Sequence, residues 1–311
     1  MHRNLMVGAG NAGTIRPVEP GPRPSIAQDL CLDIGYLRLR ARRWGDPRAA
    51  TRILALHGWL DNANSFLPLA QHLMHDTCLV ALEFAGHGHS EHRPAGLWYH
   101  FVDYVFDVVR AARALSWDRF HLLGHSLGGA VATFLAAGAP QCLQSLMLIE
   151  ALGPLGGTPE QAPQRLRQAI AALQDPDRRT RIFVDIGSAV TARAAAGPTN
   201  IDCARLLVER GLRPVADGFT WRSDPRLTLP SPYRLGEAHI QAMLRALDMP
   251  LLVLMSRDDA RFRRMEHAET RAAAVPQARV ELLPGGHHLH MESPGDTARA
   301  ILGFLKDLSH G

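Results

Sequence analysis

The chain has 311 residues, four cysteines and a formal net charge of +4. A chain of this length can bury a large hydrophobic core and needs no disulfide bonds or metal ions to stabilise its fold. The cysteines show no CxxC spacing, which predicts reduced thiols and a cytoplasmic location. Lysine occurs once and the arginines are spread along the chain with acidic residues between them, so we expect no nucleic-acid partner. No apolar run approaches the roughly 20 residues that span a bilayer, so we expect no membrane partner.

The amino-terminal segment, residues 1–28, is predicted to be a disordered tail because it is rich in Gly, Pro and Arg and has no hydrophobic period. Gly8, Gly10 and Gly13 have the spacing of a dinucleotide-binding loop. That loop requires a following helix, which Pro17 and the prolines after it prevent. The sequence therefore predicts no dinucleotide, and we expect no other cofactor.

From residue 32 onward, short apolar runs alternate with helical patterns, which predicts an α/β fold with a mainly parallel sheet flanked by helices. The predicted strands are Tyr36–Ala41, Ile53–Leu56, Cys78–Leu82, Phe120–Leu123, Leu146–Ile149, Leu251–Met255 and Arg279–Leu283. The predicted helices are Phe66–Met74, Tyr99–Ala114, Leu127–Ala137 and Asp296–Leu308.

Residues 151–249 interrupt this alternation, because Ala-, Leu- and Arg-rich helical patterns appear there without comparable strands. Such a segment is too long for an ordinary loop between a strand and a helix. The sequence thus predicts a core of residues 29–150 and 250–311, with a helical cap inserted at 151–249; an unrelated small helical domain is the alternative.

The segment Gly124-His125-Ser126-Leu127-Gly128 has the GxSxG pattern of a nucleophile elbow. It follows the predicted strand Phe120–Leu123 and precedes a predicted helix, as this sharp turn requires. Glycines are needed there because side chains would collide. Ser126 is therefore the predicted nucleophile, with a structural glycine-rich turn as the alternative.

An earlier strand ends in the turn His57-Gly58-Trp59. In hydrolases with a nucleophile elbow, an amide of this turn joins the amide after the nucleophile to bind the oxyanion. The predicted oxyanion-hole donors are the backbone N–H groups of Trp59 and Leu127.

Together, His57-Gly58-Trp59, the loop at residues 83–90, the elbow and Gly286-His287 resemble the α/β-hydrolase superfamily over roughly residues 30 to 308. The segment HGWLDNANSF and residues 217–224 resemble the serine hydrolase-like proteins and their bacterial relatives. This resemblance implies an α/β-hydrolase fold.

Four histidines in turns, His57, His87, His89 and His92, could be mistaken for metal ligands. The resemblance assigns them to loops that shape the backbone beside the active site. No cysteine or carboxylate completes a ligand set at a recognisable spacing, so we expect no metal site.

Three histidines near the carboxyl terminus compete for the role of general base. In the family pattern the base directly follows a glycine, which selects His287. His288 and His290 are the alternatives, with wall packing or partial burial as their structural interpretation.

Two positions in this fold can supply the acid that orients the histidine. Asp259 follows the predicted strand Leu251–Met255 and aligns with the usual family acid, although the glycine of the family's GxxD pattern is missing. Glu150 follows Leu146–Ile149, where some members of the superfamily place the acid instead. Asp259 is the predicted acid, Glu150 the alternative, and Asp258 a third candidate.

These residues predict a serine hydrolase of the carboxylesterase type that acts on a small-molecule ester or thioester through an acyl-enzyme. A carbon–carbon bond hydrolase, a lactonase or an amidase on the same triad is an alternative, and so is a non-catalytic receptor with this fold. Trp98, Phe219 and Trp221 are predicted to line the substrate pocket, with a purely structural role as the alternative.

Overall fold

The computed structural model describes residues 27–73, 77–174, 181–197, 199–259 and 267–309. The strands are β1 (Gln28–Asp33), β2 (Arg38–Gly45), β3 (Thr51–Leu56), β4 (Thr77–Leu82), β5 (Phe120–His125), β6 (Leu143–Ile149), β7 (Ile182–Phe183), β8 (Leu212–Val215), β9 (Gly218–Trp221), β10 (Leu251–Ser256) and β11 (Arg279–Leu283). The helices are α1 (Leu67–Leu73), α2 (Phe101–Ala114), α3 (Leu127–Gly138), α4 (Ala162–Leu173), α5 (Ile186–Ala195), α6 (Ile201–Gly211), α7 (Glu237–Arg245), α8 (Ala268–Ala273), α9 (Leu289–Glu292) and α10 (Pro294–Leu308).

Within the described ranges, eight strands form the main sheet in the order β1-β2-β4-β3-β5-β6-β10-β11. Strands β1, β2 and β4 pair antiparallel, and every pairing from β4 to β11 is parallel. Parallel strands end at the same edge of a sheet, where open α/β sheets bind their ligands. The loops after β3, β5, β6, β10 and β11 therefore meet at one edge, and the predicted mainly parallel α/β fold is confirmed.

The hydrophobic core lies on both faces of the sheet, as β3 shows. Leu54 and Leu56 pack into the cluster that includes α2 and α3, whereas Ile53 and Ala55 pack into the cluster that includes α1 and α10. Successive residues of a strand point to opposite faces, so a strand covered on both sides is apolar throughout. This double burial explains why the apolar runs in the sequence located the parallel strands.

The predicted elements of the core agree with the structure to within a few residues at their ends. Strand β11 matches its prediction, and the other parallel strands extend one to three residues further. The strand β1 is a departure, because its alternating half-exposed residues lie in and beside the segment predicted to be a tail. Residues 1–26 and Met74 lie outside the described residues.

The segment predicted to be a helical cap contains α4, α5, α6 and α7, together with a small sheet of the described strands β7, β9 and β8. The sequence did not predict these strands, because runs of two to four residues carry no readable period. Helices α5 and α6 pack with this sheet around a core of their own, whereas α7 packs into the main core. No helix in the described ranges is both long and apolar enough to cross a bilayer.

A buried ion pair fastens α6 to the main sheet. Arg210, in α6, donates to both carboxylate oxygens of Glu83, at 2.7 and 3.1 Å. Glu83 follows β4, is 0% exposed, and also accepts hydrogen bonds from the amides of Ala63 and His89. Its four acceptor contacts leave no unpaired charge, which is the condition under which a buried ion pair is tolerated.

Arg210→Met is expected to lower the free energy of unfolding by about 3–5 kcal/mol, because it leaves the buried Glu83 carboxylate without its counter-ion. Chemical denaturation measures this loss. The matched control is Arg299→Met, which breaks an exposed pair with Asp296 and should change stability by no more than about 1 kcal/mol. If both variants lost the same free energy of unfolding, the Arg210–Glu83 ion pair would not be what holds α6 to the main sheet.

Candidate active site

Ser126 lies at the junction of β5 and α3 with φ 50° and ψ −113°. A positive φ is unfavourable for a residue with a side chain and is tolerated where the surroundings enforce it. Its amide donates to the carbonyl of Ile149 at 3.0 Å. A Cβ on Gly124 would lie 2.5 Å from the Gly128 carbonyl oxygen, and one on Gly128 would lie 2.1 Å from that of Leu56. The glycines therefore let strand and helix approach closely enough to strain the serine.

The turn after β3 and the start of α3 present the two amides predicted for the oxyanion hole. Leu127 is the first residue of α3, where an amide has no partner within the helix. Among the residues that the structure describes, the N–H groups of Trp59 and Leu127 donate no hydrogen bond. Both amides are thus available to a ligand oxygen.

His57 shapes this turn. Its Nε2 accepts from the amide of Phe84 at 3.1 Å, so the proton is on Nδ1, which donates to the Gly58 carbonyl at 2.7 Å. Burial lowers the pKa of His57 and keeps the ring neutral. Burial likewise lowers the pKa of His87 to about 3, with Nδ1 lying 3.2 Å from the Ala85 carbonyl oxygen. The side chains of His57 and His87 therefore contact backbone groups of the two loops and hold their shape.

The other two histidines of this region have different partners. The amide of His89 donates to Glu83, and Nε2 of His92 lies 2.9 Å from the carbonyl oxygen of Arg222. Arg222 belongs to the segment 217–224 that the sequence singled out, so His92 joins the loop after β4 to the inserted segment.

His287, the predicted base, lies in the loop after β11. Nε2 of His125, the residue preceding Ser126, lies 2.9 Å from the His287 carbonyl oxygen, and the two rings are 4.9 Å apart. This contact holds the base loop beside the elbow. The His287 side chain is 28% exposed. His288 and His290 are buried, which leaves His287 the most accessible of the three competing histidines.

Glu150 occupies a strained and buried position at the end of β6. Its φ is 51° and its side chain is 1% exposed. One carboxylate oxygen accepts from the Ser256 amide at 2.5 Å, and the other lies 3.4 Å from Nδ1 of His287. A long contact of this kind is common when no substrate is bound. The geometry thus pairs His287 with the alternative acid.

The two aspartates after β10 surround the Ser256 hydroxyl through their backbone amides, with Asp259 at 2.6 Å and Asp258 at 3.1 Å. A carboxylate oxygen of Asp258 accepts from the Gly285 amide at 2.9 Å. These contacts tie the loop after β10 to the base loop. The assignment of Asp259 as the acid stays a prediction.

Asp61 is a buried residue that the sequence analysis did not single out. One of its oxygens accepts from Arg193 of α5 at 2.7 Å, and the other lies 3.2 Å from Nε2 of His288. Burial acts to raise the pKa of Asp61, but His288 and Arg193 lower it, and the pKa lies well below its usual range. The available signal was its place two residues after Trp59, at the end of the oxyanion turn.

The aromatic residues predicted to line a substrate pocket are not gathered in one place. Phe219 and Trp221 pack against the small core of the inserted segment, and Trp221 meets the ring of Phe183 at 5.1 Å. Trp98 stacks on His100 at 6.4 Å in the loop before α2. For Phe219 and Trp221 the contacts favour the structural interpretation, since a β9 side chain is needed to fill that core.

Comparison with known proteins places this geometry in a family. Residues 51–294 match the family model described as the alpha/beta hydrolase fold. The chain is 29% identical over 294 residues to a serine hydrolase-like protein of Danio rerio, covering 91% of this chain and 90% of the relative. It is 27% identical over 276 residues to a 3-hydroxybutyrate-oligomer hydrolase of Cupriavidus necator, covering 86% and 92%.

Among solved structures, a hypothetical protein of Pseudomonas aeruginosa PAO1 is 38% identical, with a TM-score of 0.84 over 89% of this chain and 99% of that one. A thioesterase domain from the curacin biosynthetic pathway has the same fold at 24% identity, with a TM-score of 0.77. The match to the family model covers most of the sequence, including the elbow and the loop after β11. The chain is a hydrolase that belongs to the α/β hydrolase fold family.

Proposed function

We propose that this protein is a serine hydrolase that cleaves a carboxylic ester or thioester of a small molecule through an acyl-enzyme on Ser126. The observation that carries the proposal is the backbone of Ser126, which is held at φ 50°, together with the Trp59 and Leu127 amides, which donate no hydrogen bond within the described residues. A strained backbone at the end of a sheet strand is a reason to propose a function, and amides beside a nucleophile are suited to a developing oxyanion.

In the proposed reaction, the Ser126 hydroxyl attacks the substrate carbonyl carbon while Nε2 of His287 accepts its proton. The Trp59 and Leu127 amides donate to the resulting oxyanion. His287 then returns the proton to the leaving alcohol or thiol as the acyl-enzyme forms. A water molecule, activated by the same imidazole, releases the carboxylic acid and restores Ser126.

Glu150 is the acid that the contacts favour for this reaction. A carboxylate at Nδ1 keeps the proton on that nitrogen, so that Nε2 faces Ser126 with a lone pair. Glu150 lies on this side of His287, and its second oxygen is held by the Ser256 amide. Asp259 remains the alternative acid, supported by its alignment with the usual family position.

The preference for an ester rests on chemistry and on one relative. The nucleophile is a serine, which forms acyl-enzymes with activated carbonyl compounds. The oligomers named for the Cupriavidus necator hydrolase are joined by ester bonds, and that enzyme matches most of this chain. These points favour ester or thioester cleavage over the other acyl-transfer reactions open to the triad.

The test is hydrolysis of p-nitrophenyl esters of increasing acyl length by the wild-type protein, with a fluorophosphonate probe used in parallel. We expect turnover, and labelling that peptide mass spectrometry maps to Ser126. Labelling without turnover of any ester or thioester would refute the proposed substrate class but support Ser126 as the nucleophile. Failure of both would favour a receptor without catalytic activity.

A further inference from the structure

The base loop contains more histidines than the proposed reaction uses. His125, His288 and His290 are all buried, with ring centroids of His125 lying 4.8 Å from His288 and 4.4 Å from His290. Two of them approach the carboxylate of Asp61, His125 at 3.6 Å and His288 at 3.2 Å.

The tautomer of His125 leaves one nitrogen without a partner. Its Nε2 lies 2.9 Å from the His287 carbonyl oxygen and must donate the proton to it. Nδ1 therefore carries a lone pair, is buried, and has no hydrogen-bond partner among the described residues. It points toward Asp61 Oδ2 at 3.6 Å, where a lone pair meets a carboxylate oxygen. Two acceptors that face each other in a buried place are unfavourable unless a positive group lies between them.

The three donor atoms lie close together, and both imidazole nitrogens approach Asp61 Oδ2, at 3.6 Å for His125 and 3.2 Å for His288. Asp61 Oδ2, His125 Nδ1 and His288 Nε2 all lie within 4.8 Å of one another. Asp61 Oδ2 is 3.2 Å from His288 Nε2, close to the about 3.3–3.4 Å between ligands of a tetrahedral ion with bonds of about 2.0–2.1 Å. Two imidazoles and one carboxylate form a ligand set that zinc and similar transition metals bind.

The groups behind these donors resemble the outer contacts of metal ligands. A histidine that binds a metal usually gives its other ring N–H to a carbonyl or another acceptor. His125 does so at the His287 carbonyl, and Nδ1 of His288 lies 3.3 Å from the Thr199 hydroxyl. Arg193 holds the second oxygen of Asp61.

We propose that Asp61, His125 and His288 form a buried binding site for a divalent transition metal ion of the zinc type. Each ligand is close in sequence to a catalytic group: Asp61 follows Trp59 by two residues, His125 precedes Ser126, and His288 follows His287. An ion at this site ties together the oxyanion turn, the elbow and the base loop. The site is independent of the ester or thioester substrate, so it is tested by metal binding.

The experiment is titration of the metal-free wild-type protein with zinc chloride by isothermal titration calorimetry, followed by cobalt chloride and visible absorption. We expect one zinc ion per chain and the absorption bands of tetrahedral cobalt. His288→Gln should weaken zinc binding more than about 100-fold, because even groups behind the ligands change affinity about 10–100-fold.

Two variants control for zinc at other histidines. His239→Gln removes an exposed imidazole of α7, and His287→Gln removes the proposed catalytic base; both should keep the zinc site. Asp61→Asn replaces His288→Gln if the latter fails to fold. Absence of stoichiometric binding by the wild type would overturn the proposal, and so would loss of binding in His287→Gln with full retention in His288→Gln.

Discussion

Ser126→Ala is expected to lower kcat for every ester that the wild type cleaves by about 10⁶-fold, because it removes the hydroxyl that forms the proposed acyl-enzyme. Stability should change by less than about 0.5 kcal/mol, because alanine bears the same backbone strain at φ 50° and the side chain makes no hydrogen bond in the described structure. Steady-state kinetics on the best p-nitrophenyl ester measures the loss of activity, and thermal unfolding checks the fold.

Ser116→Ala is the matched control for this variant. Ser116 is also a serine at positive φ, 56°, but it lies in the exposed turn between α2 and β5. Its replacement should leave kcat and KM unchanged. If Ser126→Ala kept more than about 1% of the wild-type kcat, the nucleophile would have to be another residue.

Glu150→Gln is expected to lower kcat by about 10⁴-fold, the loss found when the acid of a serine triad becomes an amide. The glutamine keeps an oxygen for the Ser256 amide, but its NH₂ group cannot accept the Nδ1 proton of His287. The imidazole then favours the tautomer with its proton toward Ser126. The measurement is kcat on the same ester, with fluorophosphonate labelling rate as a second readout.

Asp259→Asn and Asp258→Asn test the other candidates on the loop after β10. Both should stay within about 10-fold of the wild-type kcat, because the loop is held by backbone amides on the Ser256 hydroxyl and these remain. If kcat fell further in Asp259→Asn than in Glu150→Gln, Asp259 would be the acid, as at the usual family position, and Glu150 would have a structural role.

The sequence by itself determined the parallel core and the location of its turns. Strands buried on both faces are apolar over most of their length, so β3, β4, β5, β6 and β10 were readable from their central apolar runs. The elbow was readable because the collisions at Gly124 and Gly128 are local and demand glycine. Strand β1 and the small sheet were missed, since a half-exposed edge strand and strands of two to four residues leave weak patterns.

Only the tertiary structure decided which carboxylates approach which histidines. Glu150 and Asp259 both follow parallel strands of the same sheet, and their sequence positions qualify them equally to reach His287. Asp61, His125 and His288 are separated along the chain by 64 and 163 residues, so no spacing in the sequence connects them. These contacts arise because parallel strands deliver their loops to a single edge, and distances across that edge depend on strand order rather than on chain order.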